Sequence, residues 1–198
     1  MQLQDAEKWR RLAEMSDELG FRRQAIYCWT KYLRKCPGDA EGRLCRARAM
    51  ADAGEGKKAV QELRALHDAM PGQPLVVTDL VRALFSSGAT HAALDVLEGH
   101  VAYYPGATDL EHINMLAQLY MELGRHDATK RLVERARALL LAPGEPTPID
   151  LAVKMGVSCA LTGDMGRALA EFKSLLELGV EGYEDLYLQV GGFFVSHG

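Results

Sequence analysis

The sequence predicts an all-α protein made of antiparallel helix pairs that stack into a superhelical solenoid. Two observations lead to this prediction. Ala, Leu, Arg and Glu are plentiful while β-branched residues are few, which favours helix over strand. In addition, three kinds of landmark residue recur along the chain with one common period of 34 residues. Such a period is typical of helical arrays in which each unit packs only against its neighbours.

Glycine, alanine and proline recur in a fixed order within each predicted pair of helices A and B. We expect the glycine in the tight turn between the two helices, because a left-handed backbone costs least without a Cβ. The small alanine lets helix B approach helix A closely, and the proline cannot continue the helix before it. The three series are Gly20, Gly54 and Gly88, then Ala25, Ala59 and Ala93, then Pro37, Pro71 and Pro105.

This period and these landmarks are those of the tetratricopeptide repeat (TPR). We therefore predict a TPR superhelical solenoid of eleven helices that runs as a single array over 1–198. Gly124 and Gly163 mark later repeats, with extra residues near 106–109 and in a Pro-rich loop at 143–148. The predicted repeats are 6–38, 39–72, 73–106, 108–143, 147–181 and a partial repeat at 183–198. Because the apolar residues near the end have no following helix, we expect a fragment of a longer array.

Composition and charge restrict the class of protein. Hydrophobic residues make up 48% and charged residues 25% of the chain, as in folded soluble proteins. The first residues lack a signal-peptide pattern and no apolar stretch is long enough to cross a bilayer. The sequence thus predicts an intracellular protein, whose four cysteines are small buried hydrophobes in a reducing compartment.

No pattern of residues indicates catalysis or a cofactor. The six histidines form no HExxH or paired-ligand spacing, and neither a phosphate-binding loop nor a GxSxG elbow is present. We therefore predict a protein that is not an enzyme, with no catalytic residues, no metal and no cofactor. Direct reading of RNA, as by pentatricopeptide repeats, is disfavoured because the landmarks differ and the net charge is -4.

The residues of helix A that face the inner groove of a TPR array recur once per repeat and form the candidate partner-binding site. Arg48 and Arg82 on adjacent repeats would pair with acidic side chains of a bound peptide, beside apolar Phe85. The alternative is that these arginines merely face water. The predicted groove residues are Arg10, Glu14, Arg48, Arg82, Phe85, Asn114, Gln118 and Met121. The row that contains Arg10 and Asn114 also includes Leu44 and Thr78, and the row that contains Phe85 and Met121 also includes Asp17 and Ala51.

Capture of a peptide C-terminus, as in chaperone-binding TPR proteins, is disfavoured. That carboxylate clamp needs two asparagines in the first repeats, whereas the only asparagine of this chain is Asn114. Glu14 lies where such a groove would need a neutral or basic donor, and its charge would repel a carboxylate.

Four segments resemble one TPR family in particular. Two lie in the first repeat, and two later ones depart from the general TPR pattern. They are Trp9–Ser16, Gln24–Cys28, Pro148–Lys154 and Asp185–Val190. In residue types, order and spacing they are similar to the N-terminal array of the TPR subunit of transcription factor IIIC, so that the resemblance spans nearly the whole chain.

The resemblance implies a nuclear scaffold of the RNA polymerase III machinery. Such a scaffold helps recruit transcription factor IIIB to tRNA-type genes through the TFIIB-related factor and the SANT-domain subunit. It also contacts other transcription factor IIIC subunits and meets DNA only indirectly through the complex, away from any membrane. The alternative is a general TPR adaptor in another multiprotein complex.

Overall fold

A computed structural model describes residues 2–142 and 144–177. In these ranges the chain forms ten α-helices, one 3-10 turn at Pro105–Ala107 and no strand, which confirms the all-α prediction. The eleventh predicted helix, the partial repeat at 183–198 and the segment Asp185–Val190 lie outside the described residues. The helices are α1 Gln2–Glu18, α2 Arg22–Leu33, α3 Ala40–Asp52, α4 Gly56–Ala69, α5 Pro74–Ser86, α6 Thr90–Tyr103, α7 Leu110–Glu122, α8 His126–Leu140, α9 Ile149–Leu161 and α10 Met165–Glu177.

The chain divides into two compact units, one ending at Thr108 and the other starting at Asp109. In the first unit each of the helices α1 to α5 packs against the next one along the chain. In the second unit α7 packs on α8, α8 on α9 and α9 on α10, and α7 also contacts α9. Such nearest-neighbour packing makes each unit a stack of helix pairs, because short connections join antiparallel neighbours.

The turns between paired helices depend on glycine, as the landmark spacing predicts. All five turn glycines have φ between +68° and +84°, a backbone conformation that residues with a Cβ rarely adopt. They are Gly20, Gly54, Gly88, Gly124 and Gly163. In the first pair, Phe21 N donates to Ser16 O at 2.8 Å across the turn and satisfies an end carbonyl of helix A.

The small helix-B residue that recurs after each turn is fully buried. The fourth repeat carries Thr129 instead of alanine, and its hydroxyl donates to Arg125 O at 3.5 Å. Thr129 is buried as completely as the alanines, because this bond satisfies its polar atom within its own helix. The other members of the series are Ala25, Ala59, Ala93 and Ala168.

Gly156 on α9 is required by close helix packing rather than by its backbone conformation. A Cβ added there would lie 2.6 Å from Phe172 Cζ, and that ring on α10 is 7% exposed and has little room to move. We expect Gly156→Ala to lower the free energy of unfolding by about 1–3 kcal/mol, the usual cost of overpacking a core. Urea unfolding followed by circular dichroism measures this change.

Gly99 supplies the matched control for that substitution. It lies inside α6, and a Cβ added there would meet no atom within 4 Å. Gly99→Ala should raise stability by about 0.5–1 kcal/mol, because alanine is the better helix former. Equal effects of the two substitutions would contradict the packing role of Gly156.

The connection between α8 and α9 is held by side chains. Arg137 Nε donates to Thr147 Oγ1 at 2.7 Å, and Ala142 N donates to Glu145 Oε2 at 2.8 Å. Gly144, which lies between Ala142 and Glu145, has a φ of +85° and turns the backbone there. The described part of this Pro-rich segment is therefore tied to α8 in the second unit.

The predicted burial of the four cysteines is confirmed for Cys28 and Cys159 but is wrong for Cys36 and Cys45, which are only half-buried. Burial raises the pKa of the thiols of Cys28, Cys45 and Cys159, which disfavours the reactive thiolate. No helix among the described residues is long and apolar enough to span a membrane.

Candidate functional site

The structure places the predicted groove residues of the first unit on its three A helices. Arg10 and Glu14 lie on α1, Arg48 on α3, and Arg82 and Phe85 on α5. Glu14, Arg48, Arg82 and Phe85 are exposed, whereas Arg10 is half-buried. Because 34 residues separate Glu14, Arg48 and Arg82, they occupy the same register on successive A helices.

Two of these arginines already bind carboxylates of the next A helix. Arg10 Nη2 donates to Glu41 Oε2 at 3.0 Å, and Arg48 Nε donates to Asp79 Oδ2. Arg10 Nε also donates to Glu14 Oε1 at 2.9 Å, which together with the charge of Glu41 raises the Arg10 pKa. Burial opposes this rise.

Glu41 and Asp79 were missed as members of the site by sequence reasoning, although the sequence holds a signal for them. Each carboxylate follows its arginine by 31 residues, which places it on the next A helix, although the two pairs lie about one helical turn apart in the repeat register. We call Arg10–Glu41 and Arg48–Asp79 the inter-repeat ion pairs.

Arg48 and Arg82 both line a cleft of about 540 Å³ in the first unit. Asp52 and Asp79 also line it, so two guanidinium groups and two carboxylates surround one opening. Small side chains, Ala83 among them, form its wall and leave room for another chain. The remaining lining residues are Ala51, Gly54, Gly56, Leu63, Ser86 and Ser87.

The structure corrects the expectation for one predicted row of groove positions. Leu44 and Thr78, which share a register with Arg10, are 7% and 6% exposed and cannot contact a partner. In the neighbouring row, Asp17 accepts a hydrogen bond from Trp29 Nε1 at 2.8 Å and so serves the core. Burial of this kind depends on how deeply helix B inserts, which a repeat register alone does not specify.

The second unit holds the other predicted residues on α7. Gln118 is exposed and Met121 half-buried, and Gln118 Nε2 donates to Glu122 Oε1 at 2.9 Å. Asn114 accepts a hydrogen bond from Lys154 Nζ on α9 at 2.8 Å. Burial lowers the pKa of Lys154, and the charge of Asp150 opposes this effect.

The charged side chains of this site are suited to binding another chain. Among the described residues, no group of three histidine, cysteine or acidic side chains is placed to hold a metal ion. Glu14 and Arg48 are exposed, long and charged, and each is in an ion pair of a kind that a peptide can also form.

No family model matches the chain. It is 24% identical over 220 residues to "General transcription factor 3C polypeptide 3" of Homo sapiens, covering 98% of this chain. The chain spans about a quarter of the length of that relative, 25%.

Solved structures support the fold. MamA from Desulfovibrio magneticus superimposes with a TM-score of 0.74 at 20% identity, over 90% of this chain and 97% of MamA. The TPR protein TTC0263 of Thermus thermophilus gives a TM-score of 0.60 at 19% identity, over 96% and 99%. At these identities the likeness concerns the fold alone. Together with the ten helices of the described residues, it shows that the chain is an all-α TPR solenoid.

Proposed function

We propose that this chain is a nuclear protein-interaction scaffold of the transcription factor IIIC complex, where it helps recruit transcription factor IIIB to tRNA-type genes. The observation that supports this most directly is the 24% identity with General transcription factor 3C polypeptide 3, which extends over 98% of the chain. A match of that extent includes every described helix pair. The coarser statement, that the chain is a TPR-type interaction scaffold, rests on the fold itself.

The partners under this proposal are other transcription factor IIIC subunits, together with the TFIIB-related factor and the SANT-domain subunit of transcription factor IIIB. Contact with DNA is indirect, through the assembled complex. The chain acts by binding and not by catalysis, because its exposed groove offers ion pairs and small apolar surfaces instead of a reactive group.

The cleft between Arg48 and Arg82 is our proposed contact for an acidic stretch of a partner. A partner carboxylate would accept hydrogen bonds from the exposed guanidinium group of Arg48 beside Asp79 and would bridge toward Arg82. Arg48 keeps its Nε hydrogen bond to Asp79, whose side chain is only 11% exposed, so this buried carboxylate does not lose Arg48 as its partner. Phe85 is 41% exposed on the same helix and offers an aromatic contact nearby.

The test is a binding titration of the chain with the purified TFIIB-related factor and, separately, the SANT-domain subunit. We expect saturable binding that Arg48→Gln with Arg82→Gln weakens about tenfold, the equivalent of about 1.4 kcal/mol. Glutamine removes the two charges without placing a new carboxylate beside Asp79.

The matched control is Arg64→Gln with Arg131→Gln, which removes the same charge from exposed residues of helices α4 and α8. Equal weakening by both pairs would refute the cleft and indicate a non-specific charge effect, which also falls steeply with salt. A folded chain that binds neither transcription factor IIIB protein nor any transcription factor IIIC subunit would refute the proposal and favour an adaptor for another complex.

A further inference from the structure

The outer face of α2 carries a row of basic side chains with an aromatic residue among them. Arg23, Tyr27, Lys31 and Arg34 follow one another at spacings of four, four and three residues, which places them on one face of the helix. Lys31 is half-buried and the other three are exposed. The segment 19–38 that contains them holds five lysines and arginines and no acidic residue. We call Arg23, Tyr27, Lys31 and Arg34 the α2 stripe.

The same face stays open in a B helix that has neighbours on both sides. The positions of the α2 stripe correspond, 34 residues further along the chain, to Lys57, Gln61, Ala65 and Asp68 of α4. All four are exposed, although α3 and α5 both pack on α4. Stacking of the helix pairs therefore leaves this face of a B helix accessible to a partner.

The cations of the α2 stripe lack the carboxylates that accompany cations on other B helices. Lys58 on α4 forms an ion pair with Glu55, and Lys130 on α8 forms one with Asp127, each at 2.8 Å. Within the described residues, by contrast, none of the three cations of the stripe is in an ion pair. Two of them are only three residues apart on the helix, so their like charges repel and an anionic partner would relieve this repulsion.

Tyr27 holds the middle of the α2 stripe in a fixed geometry. Its side chain is 54% exposed, and its ring meets Trp9 of α1 edge to face, with 5.9 Å between the ring centroids. Lys31 Nζ lies 5.1 Å from the centroid of the Tyr27 ring. These contacts position an exposed aromatic ring and a cation before a partner binds, which reduces the entropy that binding would cost.

We propose that the α2 stripe binds an acidic segment of a protein partner. Along the helix, Tyr27 lies about 6 Å from Arg23 and about 6 Å from Lys31. Alternate residues of an extended chain are about 6.6 Å apart, so carboxylates at every second residue can reach Arg23, the Tyr27 hydroxyl and Lys31 in turn. Each of these groups can donate a hydrogen bond to a carboxylate.

The width of the α2 stripe favours a polypeptide over a nucleic-acid duplex. The stripe is one helix wide, and its register carries exposed Asp68 on α4 and exposed Asp95 on α6. A duplex laid across these helices would bring phosphates near both carboxylates. A single extended peptide that lies along α2 avoids them.

Binding at the α2 stripe is separate from the proposed function, so its test uses the full chain without any transcription factor. The probe is a peptide of alternating glutamate and serine, (Glu-Ser)6, added to the ¹⁵N-labelled chain, with (Gln-Ser)6 as the uncharged control. We expect saturable shifts of the α2 amide resonances with a Kd of about 0.1–1 mM at low salt, the affinity of a few exposed charged contacts. The control peptide should cause no such shifts.

Two pairs of substitutions test whether the position of the charges matters. Arg23→Gln with Lys31→Gln should weaken binding about tenfold, because it removes two of the three cations of the stripe. The matched control is Arg131→Gln with Arg135→Gln, which removes the same charge from exposed residues of α8. This control should change the Kd by less than about twofold.

A substitution that leaves the net charge unchanged tests the aromatic contact. Tyr27→Ala should weaken binding about threefold, because Lys31 loses the ring that positions it and the partner loses a donor. Tyr103→Ala is the control, since Tyr103 is 80% exposed on α6 and lies outside the α2 stripe. It should leave the Kd unchanged.

Circular dichroism verifies that each variant is folded. Absence of saturable shifts overturns the proposal, as does equal weakening by the α2 and α8 pairs of substitutions. If Arg48→Gln with Arg82→Gln weakens binding and the α2 pair does not, the acidic peptide binds the cleft and the proposal is wrong. A short DNA duplex that shifts the α2 resonances with a lower Kd than (Glu-Ser)6 overturns it in favour of nucleic acid.

Discussion

Replacing Trp29 with alanine is expected to lower the free energy of unfolding by about 3–5 kcal/mol, the usual cost of removing a buried tryptophan. Trp29 is 1% exposed and belongs to a cluster to which α1, α2 and α3 all contribute. Its ring meets Tyr32 edge to face, with 5.8 Å between the ring centroids. The substitution therefore opens a cavity where three helices meet, and equilibrium unfolding in urea measures the loss.

A second substitution separates the volume of this ring from its polar contact. Trp29→Phe keeps an aromatic side chain but removes the 2.8 Å hydrogen bond from Nε1 to Asp17 Oδ2. We expect it to cost about 1–2 kcal/mol, because Asp17 is only half-buried and water can replace the donor. If Trp29→Ala cost no more than Trp29→Phe, packing of this ring would not be what joins the three helices.

Replacing Arg137 with alanine is the second large effect, an expected loss of about 2–4 kcal/mol. Arg137 Nη1 and Nη2 on α8 donate to the two oxygens of Glu171 on α10, at 2.8 and 2.6 Å. The side chain of Glu171 is 12% exposed, so removal of its partner leaves a largely buried carboxylate without compensation. The same substitution also frees Thr147 of the Pro-rich segment.

The second unit contains its own control for Arg137. Arg167 on α10 forms an ion pair with Glu134 on α8, so the same two helices are joined, with the arginine now on α10 and the glutamate on α8. These two side chains are 39% and 44% exposed. Arg167→Ala should cost less than about 1 kcal/mol, as for other surface ion pairs. Arg137→Met with Glu171→Met should recover most of the stability lost in Arg137→Ala, because no unpaired charge remains. A cost for Arg167→Ala equal to that for Arg137→Ala would contradict the role of burial.

Features that depend on local backbone geometry could be predicted from the sequence. Gly20, Gly54 and Gly88 all adopt positive φ, and the helices start and end around them, because a left-handed turn restricts the residue type at one position. The alanine series could be predicted for a similar reason, since close approach of two helices excludes larger side chains. The position also accepts the slightly larger Thr129, because its hydroxyl donates a hydrogen bond within its own chain segment, to Arg125 O.

The candidate site could be predicted only in part. The repeat register placed Arg48 and Arg82 on neighbouring helices, and the structure finds both along one cleft. The register did not reveal that Arg48 binds Asp79. Nor did it reveal that Leu44 and Thr78, which share a register with Arg10, are buried. Pairing and burial at these positions depend on the neighbouring side chains of two or three helices at once.

The sequence by itself determined the fold class, the turn positions and the register of side chains on successive helices. These follow from interactions within about one repeat, so a period of 34 residues and a few glycines are enough to specify them. Only the tertiary structure decided which members of a register are buried, paired or exposed. Ala49 is buried beneath α2 while Met15, in the same register on α1, is 56% exposed, because solvent accessibility depends on the helix that packs on top.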